Sequence, residues 1–351
     1  MSEVIDVWLD GAVGETRYVL VRQGRPITLT ITRWSDAGRR ARWGEVYGGR
    51  VRKVERALRG AFVDLGLKDE QGFLPLTQGR DVREGELIAV SIAREGTRSK
   101  GPVLAMTEAM NPSAIGRIAR REEDEAHDRA APARGDIRAA IDATMDEALA
   151  QRVALAGGGA ITIEPTTALT AIDVDSAGRT GEADPERLAL ALNLEAAREA
   201  MRQLRLRAQG GLAAIDFVSM RRAENRKTVE AALKAAAHGD PWGPIFAPMS
   251  RFGVVELSRA QYTRPVRDVL LDADGRKSAE TVALEALRAI ERETAASGGR
   301  KVVASLAQDV ADWLAANHIA WREALAGRIG VHWDIEAAPH APREKMDVRA
   351  V

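Results

Sequence analysis

Cysteine is absent from the chain, which excludes disulfides, thiolate catalysis and any Cys-ligated zinc or iron–sulfur centre, and suits a reducing cytoplasm. Net charge is absent too: 51 Lys and Arg balance 51 Asp and Glu. The chain as a whole therefore lacks the basic excess usual in nucleic-acid-binding domains. No apolar run approaches the ~20 residues that cross a bilayer. Met1–Asp10 carries Glu3, Asp6 and Asp10 and has neither a basic start nor an apolar block, so no secretory leader is expected and the reading is a soluble, cytoplasmic protein. His127, His238, His318, His332 and His340 share no ligand spacing such as HxxxH, and no metal site is read from them. No internal repeat is evident.

What is present is a globular composition, 45% hydrophobic and 29% charged, in a chain of 351 residues that has room for two or three small cores. Charge is unevenly spread. From Arg33 to Gly60 nine Lys/Arg face only Asp36, Glu45 and Glu55, which makes either a local positive surface or a merely solvated face.

The first third is β-patterned. TRYVLV and ITLTIT flank the turn residues QGRP, predicting a hairpin over Thr16–Thr32. Ala37–Arg42 reads as a connector. From Gly44 to about Glu95 short strand-like pieces alternate with Gly, Asp and Glu turns, the pattern of a small barrel. Ser113–Gly135, with REEDEAHDR at its centre, reads as a linker or solvated helix. Ile137–Leu155 regains helical spacing, with Ile137, Ile141, Met145 and Leu149 at every fourth position. AITIE and ALTAIDV are strands split by Pro165-Thr166-Thr167. Asp184-Pro185-Glu186 starts a long helix, with an N-cap Asp and Pro at the first helical position, and Gly210-Gly211 stops it. LAAIDF is a buried strand, Ala223–Ala237 a helix, RFGVVELS a later strand and Thr281–Thr294 an amphipathic helix. The fold class is α/β with a β-barrel first third.

Carboxylates end two apolar strands: Asp173 and Asp175 close ALTAIDVD, and Asp216 closes GGLAAIDF. Period-two geometry puts Asp173 and Asp175 on one strand face, and strands joined by one helix are commonly sheet neighbours. Acids ending hydrophobic strands want a cation, a hydrogen-bond network or water. Mg²⁺ suits such a cluster because it uses one or two carboxylates and takes its other ligands from water and phosphate. The plainer reading is that these acids cap a turn and a helix, and spacing alone leaves both open. Arg205 and Arg207 at the end of the long helix, with Arg251 and Arg259, are candidate phosphate ligands or simply solvated cations. Phe62 and Phe73, in adjacent barrel strands, and Lys100 just downstream are either core and surface residues or a single-strand grip of stacking rings and a cation.

GGAITIEPTTALTAIDVDSAG, NLEAAREAMRQLRLRAQGGLAAIDFVSM and MSRFGVVELSR, in this order, resemble the catalytic core of the ribonuclease E/ribonuclease G family. GEVYGGRVRKVERALRGAFVDLGLKDEQGFLPL, followed by TRSKG, resembles its OB-fold RNA-binding domain. Together these stretches span roughly two-thirds of the chain, from the N-terminal hairpin to about Arg264 without the middle linker. The resemblance implies a ribonuclease-H-like catalytic core with an inserted OB-fold barrel: a β segment of the core over 1–36, the OB-fold over 37–107, a shortened sensor region over 108–158, the core over 159–265 and a small C-terminal α/β domain over 266–351. It implies internal, Mg²⁺-dependent cleavage of single-stranded RNA, with Mn²⁺ as a substitute, leaving 5′-phosphate and 3′-hydroxyl ends, in the processing or decay of rRNA or mRNA. Asp173 and Asp216 fall on the metal-binding aspartates, Asp175 on a position usually Asn, and Phe62, Phe73 and Lys100 on the residues that grip RNA. The family's paired-cysteine zinc link would fall near Val269–Gly275, where the chain has VLLDADG, so no zinc and no zinc-bridged dimer are expected. The segment before Gly157 is too short for a full 5′-monophosphate sensor. A non-catalytic RNA-binding protein and a ribosome-assembly factor docking on precursor rRNA are the alternatives on the same fold, and a DNA-cutting enzyme is a third.

Overall fold

The β-rich N-terminal run begins earlier than its pattern suggests. In the computed structural model, which describes residues 5–76, 81–98, 100–107, 111–121, 130–133, 135–176, 178–179 and 184–351, strand β1 already covers Ile5–Ala12. The predicted hairpin follows as β2 (Glu15–Arg22) and β3 (Arg25–Arg33), joined by a two-residue turn at Gln23–Gly24, and the three strands form one sheet in sequence order.

The pieces from Gly44 onward close into a barrel. Its strands are β4 (Val46–Glu55), β5 (Gly60–Asp64), β6 (Gln71–Pro75), β7 (Leu87–Arg94) and β8 (Val103–Met106). Hydrogen bonding runs β4-β5-β6-β8-β7 and back to β4, with β6 and β8 parallel and the other pairs antiparallel. A ring of five short strands with one parallel contact is an OB-like barrel. Alternation sends Tyr47, Val51, Val63, Leu74, Val90 and Leu104 inward to fill it. A further strand, β9 (Gly116–Ala119), adds to β4, so the stretch read as a linker is partly sheet. Its charged centre, Glu122–Arg129, lies outside the described residues.

The expected helix over Ile137–Leu155 stops sooner. Helix α1 spans Asp136–Leu149, Arg152–Ala154 form β10, and Ile137 is exposed. Then come β11 (Ala160–Pro165), β12 (Thr170–Asp175), α2 (Pro185–Leu206), β13 (Gly211–Asp216), α3 (Ala223–Ala236), β14 (Ile245–Phe246) and β15 (Val254–Arg259). The Asp184 carboxylate accepts from the Glu186 N–H at 3.0 Å, the cap expected of Asp-Pro-Glu. The sheet order is β10-β11-β12-β13-β15-β14, with β12 and β13 its only parallel pair among the described strands. Ile172, Ile215, Val255 and Leu257 point to the face covered by α2 and α3, where Leu192, Ala196, Met201 and Val229 meet them. The alanines of α2 let its axis come close to the sheet.

The remainder folds as α4 (Val266–Leu270), α5 (Ala279–Ala296), β16 (Val302–Ala307), α6 (Gln308–Ala315), α7 (Trp321–Ile329), β17 (Trp333–Ala338) and β18 (Met346–Ala350). β16 is the centre of the β17-β16-β18 sheet, and α5 packs Leu284, Leu287 and Ile290 into a core with Leu306 and Trp321. Within Val269–Gly275 the Asp272 carboxylate accepts from the Asp274 and Arg276 N–H groups and pairs with Arg343.

The chain divides into two compact units. One comprises residues 1–8, 19–30 and 139–266, and the other 9–18, 31–138 and 267–351. The second holds a buried ionic network. Asp10 accepts from Arg17 and Arg138, Glu291 accepts from Arg138 and Arg328, and Glu15 accepts from Arg288. Burial alone would raise the Asp10 carboxyl, but Arg17 and Arg138 hold it below the usual carboxylate value. Among the described residues no helix is long and apolar enough to cross a membrane.

Candidate active site and RNA-binding surface

The strand-ending acids meet in the first unit. In the β12/β13 register Asp173 is the direct Cα partner of Asp216, one strand spacing of about 4.8 Å away. Alternation turns both away from the helix-covered face, since Ile172 and Ile215 beside them are buried while the two aspartates are exposed. Among the described residues neither carboxylate has a hydrogen-bond or ion-pair partner. Two like charges directly opposite each other on a sheet repel, so the pair is an arrangement that a cation would relieve. Thr162, across from Asp173, and Val254, across from Asp216, extend the same row.

Asp175 shares the face but differs in state. Arg152 Nη2 donates to it at 2.8 Å, which neutralises its charge. Among the described residues no group of three or more His, Cys, Asp and Glu could hold a metal ion, so Asp173 and Asp216 are a pair of donors rather than a cage. Mg²⁺ fits two carboxylates because it keeps several waters and binds substrate phosphate directly.

Behind Asp216 the backbone is held by a residue that the pattern did not single out. Buried Asn193 of α2 donates from Nδ2 to the Val218 carbonyl at 2.8 Å and accepts the Val218 N–H at 3.0 Å. A polar residue on the buried stripe of an otherwise apolar helix was the available signal.

The arginines at the end of α2 point inward. Arg207 donates from Nε to Gln203 at 2.8 Å and from Nη2 to the Ala150 carbonyl at 2.7 Å, and burial pushes its pKa down to about 10. Arg205 is buried too, and burial lowers its pKa, with Asp240 opposing that shift. Arg259 is held by Asp240 at 2.7 Å and stacks on Trp242. Arg205 and Arg207, phosphate-ligand candidates in the sequence, are thus buried, and Arg207 holds groups of its own chain, the Gln203 amide and the Ala150 carbonyl. Arg251 is exposed and lies 4.7 Å from the centroid of the Phe252 ring.

In the second unit the two barrel phenylalanines are Cα partners on β5 and β6, half-buried, and meet edge to face at 5.5 Å. Lys53, Phe62, Phe73 and Val103 make one cross-strand row on the outer surface. Gly60 is required there, because a Cβ would run into the Phe73 ring. Lys100, three residues before Val103, is exposed, and its ammonium has no partner among the described residues. The basic stretch from Arg33 to Gly60 is largely neutralised by acids from outside it: Arg39 pairs with Asp69, Arg40 with Glu70, Arg52 with Asp64 and Arg33 with Glu280.

Residues 89–262, about half of the chain, match the Ribonuclease E/G family. Ribonuclease E of Escherichia coli (strain K12) is 36% identical over 181 residues, 50% of this chain and 17% of that protein. Ribonuclease E of a Nostoc species is 39% identical over 132 residues, covering 38% of this chain and 19% of that protein. Ribonuclease G of Salmonella typhimurium is 31% identical over 159 residues, 43% of this chain and 32% of that protein. The chain thus spans about a fifth to a third of the length of these relatives. The match takes in Lys100, Asp173, Asp175, Asp216 and Arg251, while Phe62 and Phe73 precede it.

Proposed function

The chain belongs to the ribonuclease E/G family, and from that premise we propose that it is an endoribonuclease cutting single-stranded RNA internally to leave 5′-phosphate and 3′-hydroxyl ends. The observation that carries this reading is the Asp173–Asp216 pair, exposed, directly opposed and without a partner among the described residues. Asp173 and Asp216 would hold a divalent cation, Mg²⁺ or Mn²⁺. When bound, such a cation supplies positive charge against a phosphate oxygen and acidifies a water for attack. The ribonuclease-H-like label for this core belongs to the same proposal and is supported by the acids on adjacent parallel strands. So do the five-part domain division and a role in processing or decay of rRNA or mRNA in the cytoplasm.

The protein's own residues have distinct parts in this mechanism. Asp173 and Asp216 would hold the cation between the ends of β12 and β13. Arg152 neutralises Asp175, which keeps a third negative charge from repelling the phosphate while leaving the carboxylate to set the edge of the site. Phe62 and Phe73 stack unpaired bases, and Lys100 and Arg251 contact phosphates. Arg205 and Arg207, from their buried positions, serve the packing of α2.

The test is incubation of an internally labelled, A/U-rich single-stranded RNA with Mg²⁺, comparing wild type with Asp216→Asn. Internal cuts by the wild type alone, with RNA binding kept in the variant, support the reading. Binding without cutting by either protein, in Mg²⁺ and in Mn²⁺, transfers the assignment to a non-catalytic RNA-binding protein. Co-sedimentation with ribosomes tests the assembly role.

A further inference from the structure

The segment Arg251–Gly253, read from sequence as the start of a strand, is instead the tip of a tight turn leading into β15. Four backbone and side-chain hydrogen bonds brace that turn. Ser250 N–H donates to the Val254 carbonyl at 2.8 Å, Gly253 N–H donates to the Ser250 carbonyl at 3.1 Å, and the Ser250 hydroxyl accepts from the Phe252 and Val254 N–H groups at 3.3 Å. Gly253 has φ +91°, which an L side chain rarely adopts. The turn is also tied to the acid row, because the Phe217 N–H, next to Asp216, donates to the Gly253 carbonyl at 3.3 Å, and Val254 is the Cα partner of Asp216.

On this well-braced turn Phe252 is 71% exposed. A phenyl ring left this open to water is unfavourable unless something else covers it. Arg251 lies over the ring, 4.7 Å from its centroid, and adds a cation beside an apolar surface that remains mostly exposed. A flat apolar face, a guanidinium and the carboxylates that end the next two strands, Asp216 on β13 and Asp173 on β12, make a combination suited to one ligand chemistry: a nucleobase on the ring, its phosphate on the arginine, and the next phosphodiester toward the acids.

Resting on the endoribonuclease reading, we propose that Phe252 and Arg251 form a base-binding subsite beside the scissile phosphate, and that this subsite admits only an unpaired nucleobase. A base inside a duplex already has neighbours on both faces and cannot give one to the phenyl ring. The platform thereby contributes single-strand selectivity at the cut itself, separately from Phe62 and Phe73 on the barrel. Its loss lowers kcat/KM by about tenfold, the scale of one base–aromatic stack.

The experiment uses an A/U-rich RNA in which 2-aminopurine, or an abasic residue, is walked through the three positions on each side of the mapped cut. Phe252→Ala is expected to lose about tenfold in kcat/KM, and Phe252→Trp to recover it. One abasic position should impose the same loss on the wild type and none on Phe252→Ala. Equal cutting by Phe252→Ala with the abasic penalty intact would overturn the proposal. Stacking is also read without cleavage: 2-aminopurine bound by Asp216→Asn should be quenched at one position, and adding Phe252→Ala should release the quench. An unchanged quench overturns the subsite. Absence of cleavage by the wild type with the quench intact overturns the nuclease reading instead. A change in oligomeric state on Phe252→Ala, seen by sedimentation without any change in the quench, marks Phe252 as a protein contact and also overturns the proposal.

Discussion

Acids at two places in the molecule are treated in opposite ways. Asp10, fully buried, has Arg17 and Arg138 against it and the Ala133 N–H on its Oδ1, so its charge is matched from several sides. Asp173 and Asp216, exposed, face each other and have no cationic side chain against them among the described residues. A charge buried without a partner is prohibitive, so the first acids must be paired for the chain to fold. A charge in water tolerates being left alone, and the second pair remains available to something that is not part of the chain. The difference separates acids that hold the fold from acids left open, the ones proposed for chemistry.

The largest expected effect breaks the second kind. Asp173→Asn and Asp216→Asn should each reduce RNA cleavage at least a thousandfold while leaving the thermal midpoint unchanged or slightly raised, because each removes one of two repelling charges. A parallel drop in midpoint would show that these acids serve the fold after all. Next in size is the buried network. Arg17→Met should destabilise the protein by about 3–5 kcal/mol in denaturant titration by leaving Asp10 buried and unmatched, and a change under 1 kcal/mol would deny the network its structural role. Asn193→Ala should cost about 1–3 kcal/mol, since it strands the Val218 N–H and carbonyl. It should also lower cleavage by loosening the backbone behind Asp216, whereas the Arg17 variant, where folded, should cut normally.

Acid titration sharpens the same contrast. Asp10 and, in the other unit, Glu199 are held below their ordinary carboxylate values, by Arg17 and Arg138 and by Arg202 respectively, against the opposing effect of burial. A depressed folded-state value means stability that is fully present above about pH 4–5 and is lost as the pH falls through the lowered values. Stability should therefore be flat from pH 7 to 5 and fall below about pH 4. A fall already at pH 6 would point to groups other than these carboxylates. The smallest effect belongs to Arg152→Ala, which breaks an exposed pair with Asp175 worth about 0–1 kcal/mol to stability. Its cleavage rate is the informative reading, since unmasking Asp175 places a third negative charge near the phosphate.

Patterns that depend on neighbours in sequence were legible. The Asp184-Pro185-Glu186 cap, the β2–β3 turn and the strands ending in Asp173 and Asp216 follow from short-range sterics and hydrogen bonding that few residues satisfy. The barrel was legible as a rhythm of short strands, and so was the pairing of the acids across one intervening helix. Other features were not. β1 was hidden because Asp6 and Asp10 make its run look like a polar terminus, and the partners that neutralise Asp10 include Arg138, more than a hundred residues away. Arg205 and Arg207 read as candidates for phosphate contact, and their burial was not legible, because a one-dimensional pattern does not show what covers a helix end.

By itself, the sequence determined the chemistry available to this protein: no thiol, no histidine cluster, two strand-ending aspartates, and motifs shared with the ribonuclease E/G family. Only the tertiary structure decided which charges are matched and which stand open. It brought Asp173 beside Asp216, gave Asp175 to Arg152, drew Arg207 inside and left Phe252 on a turn in water. The physical reason is that secondary structure is set over a few residues, whereas burial and charge pairing depend on groups that become neighbours only when the chain has folded.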